Sequence, residues 1–217
     1  MRKRNLYKDI VMLALGILCF LALVRGVDFW IRQQKSYGIS IQSEAELTED
    51  IVKEIAKIEG VYAFLPISSC SVRLRLQAYT LETQVLGVDL YNYPFQWKQA
   101  QEEITLGNTV VLFVGQETFS AFADDHGNHP GKSEIAQWME QYQELELTVT
   151  DDKGRERKAC IGGMIEEPSS GLYMSEDQMQ ELYPLSFKRT AGHMKICGEK
   201  NMQKAKERLS EAGFQVE

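Results

Sequence analysis

The run Ile10–Val24, IVMLALGILCFLALV, holds fifteen consecutive uncharged residues and constrains the chain more than any other stretch. Arg2, Lys3, Arg4 and Lys8 precede it, and Arg25 and Asp28 follow, with Phe29 and Trp30 where an interfacial aromatic belt would lie. As a helix the run is about 22 Å long, short of the roughly 30 Å of a hydrocarbon layer. Snorkelling by Lys8 and Arg25, with Leu6 and Tyr7 adding apolar surface, closes that gap. The expectation is a basic tail and single transmembrane helix over residues 1–36 (core 10–24) in a cell membrane, N-terminus cytoplasmic, the rest extracytoplasmic. A cleaved signal peptide shares the basic flank and the apolar run. However, LVRGVDFW offers no small-x-small cleavage site, and Leu18 before Cys19 is too large for a lipobox. A buried soluble helix is the third reading.

The net charge of -7 understates the acidity of the remainder. Residues 1–9 hold four basic side chains and one acidic one, so everything after them carries -10. Such an exterior argues against a nucleic-acid partner and against a face lying on anionic lipid. Beyond the anchor the cysteines are Cys70, Cys160 and Cys197, an odd number without a CxxC pair. They form neither a disulfide framework nor a zinc knuckle. Buried thiols, or one disulfide with the third cysteine free, both fit, and the sequence leaves the pairing open.

Hydrophobic periodicity predicts two β-α-β units at opposite ends. Tyr37–Ile41 alternates as a strand, Ile51, Ile55 and Ile58 mark one stripe of a helix, Gly60 ends it, and residues 61–66 begin a second strand. At the other end His193–Cys197 reads as a strand and Asn201 as the cap of a helix buried through Met202, Ala205, Leu209 and Ala212. Gly213 stops that helix before Phe214–Val216. Each unit is long enough for a crossover connection. Between them the chain is mostly strand. Val72, Leu74, Leu76 and Ala78 alternate with Arg73, Arg75 and Gln77, Thr109–Val114 is continuously apolar, and hairpins are expected around residues 84–88 and 145–161. Ser175 caps a short helix whose Met179, Leu182 and Tyr183 face inward.

This order of elements, with the segments IEGVYAFLPISSCSVRLRLQ, QVLGVDLYNYP, TVVLF, LTVTDDKGRERKACIGGMI, GLYMSEDQMQELYP and NMQKAKERLSEAGFQVE, resembles the MacB/FtsX-like family of ABC transporter permeases. The resemblance covers the first membrane helix and the extracytoplasmic, periplasmic core-like domain. It implies an α+β fold, with a porter-like lobe over residues 37–71 and 187–217 and an inserted β-rich lobe over 72–186. Family permeases continue into three further membrane helices that contact the ATPase, whereas this sequence stops at Glu217, and no Gly-x-x-x-x-Gly-Lys-[Ser/Thr] is present. What the resemblance implies is therefore the role of the outside domain, of or accessory to a permease. It would act by protein or substrate contact rather than chemistry, with transporter ATPase and permease subunits or a second copy of the chain as partners, and with no cofactor.

Two stretches carry candidate sites. Tyr91, Tyr93, Phe95 and Trp97 form an aromatic loop, and Tyr and Trp are enriched where proteins meet. The competing reading is a loop whose rings cover the sheet. Asp124, Asp125, His126 and His129 place two carboxylates and two imidazoles within six residues, enough donors for a divalent ion and for an anchored or secreted metal-dependent hydrolase. The Gly and Pro content of the same stretch reads as an exposed polar loop, and neither HExxH nor the calcium-loop spacing is present. A structural surface domain without a transport role is the remaining alternative.

Overall fold

The computed structural model of the chain describes residues 34–100 and 109–217. The expected anchor lies outside these residues, and among the described ones no helix is long and apolar enough to cross a membrane. The described elements begin with β1 (Ser36–Gln42), α1 (Glu49–Ala56), β2 (Val61–Leu76), β3 (Tyr79–Val88), β4 (Gln96–Ala100) and β5 (Val110–Gly115). Then come α2 (Lys132–Glu140), β6 (Leu147–Thr150), β7 (Glu156–Glu167), β8 (Leu172–Ser175) and α3 (Glu176–Leu182). The last three are β9 (Lys188–Cys197), α4 (Glu199–Glu211) and β10 (Gln215–Val216).

Local chemistry accounts for the helix ends. The Thr48 hydroxyl accepts the Ile51 N–H at 3.4 Å, and Glu49 and Asp50 sit at the positive end of α1. Gly60, at φ 86°, turns the chain out of this helix into β2. The start of α4 differs from the expectation. Gly198, not Asn201, is the N-cap, because the Asn201 side chain acts as a donor, its Nδ2 reaching the Cys197 carbonyl at 2.9 Å. That bond ties the helix back to the strand it leaves.

The four outer strands form a sheet in the order β10-β1-β9-β2. This overturns the simple crossovers expected of the two β-α-β units. β9 runs antiparallel between β1 and β2, and β1 runs antiparallel between β9 and β10. Each unit is therefore split by a strand of the other, and neither sheet half can form alone. Ile39, Ile41, Met194 and Ile196 from the sheet meet Ile55 of α1, Ile58 in the turn after it, and Ala205 and Leu209 of α4 in one buried cluster.

β2 is a second departure. It is a single strand of 16 residues where two shorter ones were expected, with Pro66 inside it. The proline is tolerated because β2 has no partner on its far edge there. Pairing with β3 starts only at Ser68↔Gly87, so no donor is missing from a ladder. Past that point β2 enters a closed ring, β2-β3-β8-β5-β7-β6, in which β6 returns to β2 through Leu74↔Val149 and Leu76↔Leu147. The β-rich segment is thus a six-stranded barrel. Leu74, Leu76, Leu112, Val149 and Ile161 fill it, packed with Phe119, Trp138 and Met179 from the intervening helical turns. All six residues of β5 are buried, as their unbroken apolar run required.

The Leu209 side chain is 2% exposed and belongs to the cluster that also buries Ile55. Leu209→Ala is expected to cost about 2 to 5 kcal/mol in denaturant unfolding. Hydrogen exchange on the variant should accelerate jointly in α1 and α4, since both rest on one layer. Acceleration confined to α4 would contradict the shared sheet.

Candidate functional site

The aromatic loop leaves β3 at Val88 and is built on Asp89. The Asp89 carboxylate accepts the N–H groups of Tyr91 and Asn92 at 3.0 and 3.3 Å through Oδ1, and the Asn92 amide at 2.8 Å through Oδ2. Its backbone carbonyl accepts Tyr93 N–H at 2.9 Å. The Asn92 amide, with the backbone N–H groups behind it, holds this carboxyl below the usual aspartate range, so the turn stays charged and bonded at neutral pH.

Beyond the turn the rings fold back over the outer wall of the barrel. Phe95 lies 4.6 Å from Tyr93, 5.0 Å from Trp97 and 5.0 Å edge-on to Tyr173, and Trp97 stands 5.3 Å from Phe113. Ile67, Val88, Val111, Phe113, Ile165 and Tyr173 form the apolar layer beneath. Burial pushes the Tyr173 hydroxyl up to about 12, and burial followed by the Lys195 charge lowers His193, whose ring centroid is 6.3 Å from Tyr93. Both effects favour the uncharged imidazole.

The four aromatics do different things. Tyr93 and Phe95 are half-buried and cover the layer, whereas Tyr91 is 98% and Trp97 39% exposed. The loop also touches the split sheet, where Lys195 Nζ donates to the Asn92 carbonyl at 3.4 Å. A cleft of about 220 Å³ opens between Tyr93 and the sheet face that carries Ser40, Gln42, Ala191 and Gln215. An apolar groove of about 430 Å³ runs between α1 and α4, floored by Ile55, Leu209 and Phe214. Sequence reading missed both hollows, because their walls come from residues more than 100 positions apart.

The candidate metal loop is occupied by its own backbone. Asp124 Oδ1 accepts the N–H groups of His126 and Asn128 at 2.9 and 2.8 Å, and Oδ2 accepts the Asn128 amide at 3.0 Å. His129 Nδ1 bonds the Phe122 carbonyl at 2.8 Å. Among the described residues no three His, Cys, Asp or Glu groups converge as metal ligands, so the structure does not bring Asp124, Asp125, His126 and His129 together. Cys70 is buried in the barrel, with its thiol pushed up to about 12 by that burial, and no disulfide joins Cys70, Cys160 or Cys197 among the described residues.

No family model matches the chain, and no curated protein matches it. Among solved structures it is similar to the periplasmic region of MacB from Actinobacillus actinomycetemcomitans, with a TM-score of 0.52 and 14% identity over 86% of this chain and 91% of that one. It is similar also to the extracellular domain of the noncanonic ABC-type transporter YknZ from Gram-positive bacteria, with a TM-score of 0.50 and 10% identity over 83% of this chain and 100% of that one. The fold is that of these transporter domains. At such identities the likeness extends to architecture, α+β with the barrel described above, and the side chains of the aromatic loop must be judged on their own geometry.

That geometry separates the four rings by experiment. Phe95→Ala should lower stability by about 1 to 3 kcal/mol, while Tyr91→Ala should stay within about 0.5 kcal/mol of the parent. Equal losses at the two positions would mean that Tyr91 belongs to the covering layer. For the polar loop, chelator should leave the melting temperature unchanged and elemental analysis should find no stoichiometric metal. A stabilising ion would instead raise the melting temperature on addition.

Proposed function

We propose that this chain is a membrane-anchored extracytoplasmic contact domain, belonging to or assisting an ABC transporter permease. What supports the reading is the architecture. Two interleaved β-α-β units, with a barrel inserted between them, match two transporter domains over 83% and 86% of this chain. The apolar run Ile10–Val24 supplies the anchor, and its basic flank orients the N-terminus to the cytoplasm. The proposed division is a porter-like lobe of residues 37–71 and 187–217 and a barrel lobe of 72–186, with the barrel reaching away from the sheet that continues from the anchor.

Contact is made through Tyr91, whose backbone is carried on the Asp89 turn, and Trp97, which packs against Phe95 and Phe113. Aromatics of this kind bring large area at low entropic cost, because little freedom is lost on binding. Transporter permease and ATPase subunits, and a second copy of the chain, are the proposed partners, and no cofactor is involved.

The experiment has two arms. A reporter fused after Glu217 should be active only outside the cytoplasm and should remain with membranes after carbonate washing. A photo-crosslinking residue at position 91 in intact membranes should then yield an adduct that mass spectrometry identifies as a transporter subunit or a second copy. A released, soluble product would remove the anchor from the proposal. Adducts confined to proteins unrelated to transport would remove the partner.

A further inference from the structure

The barrel closes through β2, and along one edge of that strand the ladder has a gap. On its other edge β2 pairs without a break with β3, from Ser68↔Gly87 to Leu76↔Tyr79. On the gapped edge β9 is the neighbour as far as Ser69↔Lys188, and β6 takes over only at Leu74↔Val149. Among the described residues no strand stands opposite Cys70, Ser71, Val72 or Arg73 there. In an antiparallel sheet each residue turns its N–H and C=O to one side, and alternate residues share that side. The stretch therefore presents unpaired backbone donors and acceptors along about 13 Å of strand.

There is room for a partner at this place. Ser71, Val72 and Arg73 line a cleft of about 510 Å³ together with Thr150, Asp152 and Tyr183. The cleft is braced by its own hydrogen bonds. The Tyr183 hydroxyl donates to the Thr150 carbonyl at 2.8 Å, and Asp152 Oδ2 accepts the N–H groups of Leu185 and Ser186 at 2.8 and 3.1 Å. Its charged groups are already engaged. Arg73 pairs with Glu82, and the second Asp152 oxygen accepts the Ser186 hydroxyl. What the cleft offers is strand backbone, which an extended main chain satisfies and an ion or a helix does not. Beside it, on the turn that Asp152 fixes, Leu185 is 83% exposed. An apolar side chain so displayed suits a partner that can cover it.

We infer that the gap is a docking slot for an extended segment of a partner protein, which adds to β2 as a short extra strand between β9 and β6 and lays an apolar side chain against Leu185. Main-chain pairing supplies the affinity, and the Leu185 contact supplies the preference for an apolar residue. The slot shares no residue with the aromatic loop, so it stands or falls apart from the contact proposed at Tyr91.

The test uses the full chain in detergent, with the capped peptide acetyl-Thr-Val-Thr-Val-Thr-amide as the probe. Titrating the peptide should slow hydrogen exchange in fragments that contain residues 70–73. An analogue N-methylated on alternate amides keeps one strand edge and should protect the same fragments. An analogue methylated on every amide has no edge to pair and should protect nothing. Leu185→Ser, a change at an exposed position, should weaken the peptide by about three- to tenfold. Tyr91→Ala should leave its binding unchanged. Circular dichroism confirms that both variants fold. No protection at residues 70–73, protection by the fully methylated analogue, or unweakened binding to Leu185→Ser would overturn the inference. Dissociation of a dimer of the chain by the peptide would also overturn it, by giving the slot to a second copy.

Discussion

Everything in this fold hangs on one strand having two sets of neighbours. The first half of β2 gives its backbone groups to β9 and the second half to β3 and β6. Each buried backbone group needs a partner, so the strand cannot leave either lobe without orphaning a ladder. Its side chains record the change of surroundings. From Cys70 onward buried and exposed residues alternate strictly, because one face looks into the barrel and the other into water. Before Cys70 the alternation blurs, because helices cover one face of the sheet and the aromatic loop leans on the other.

That blur explains what could and could not be read from the chain. Periodicity reports which face of an element is buried, and it located both amphipathic helices, the buried β5 and the hairpin over residues 145–161. It does not report who the neighbour is. The interleaving of β1 with β9 and β10, and the closure of the barrel through three residue pairs between β2 and β6, depend on contacts across 71 to 175 positions that leave no local trace. Asn201 was misjudged for a different reason. Its amide can donate or accept, and only the position of the Cys197 carbonyl decides between the two.

The candidate sites divide along the same line. Tyr91, Tyr93, Phe95 and Trp97 are spaced by two, and on a regular strand they would share one face. The Asp89 turn breaks that regularity, so Tyr91 reaches into water while Tyr93, Phe95 and the partly exposed Trp97 pack over the barrel wall. In residues 124–129 the composition suggested ligands. Asp124 is consumed instead by the short loop, whose backbone N–H groups would otherwise lack acceptors. Donor types are visible in a sequence, but whether they are already spoken for is a matter of geometry.

The interleaved sheet also sets an order of events during biosynthesis. Among the described residues β1 pairs with no strand made before Ala191, so its edges wait for more than a hundred residues while the chain grows. The barrel strands from β2 to β8 emerge within that interval and can close around their own core first. An unpaired strand with alternating apolar residues is a template for aggregation, and non-local pairing of this sort is slow. The chain therefore finishes its fold from the inside outward, with the first strand made among the last to be secured.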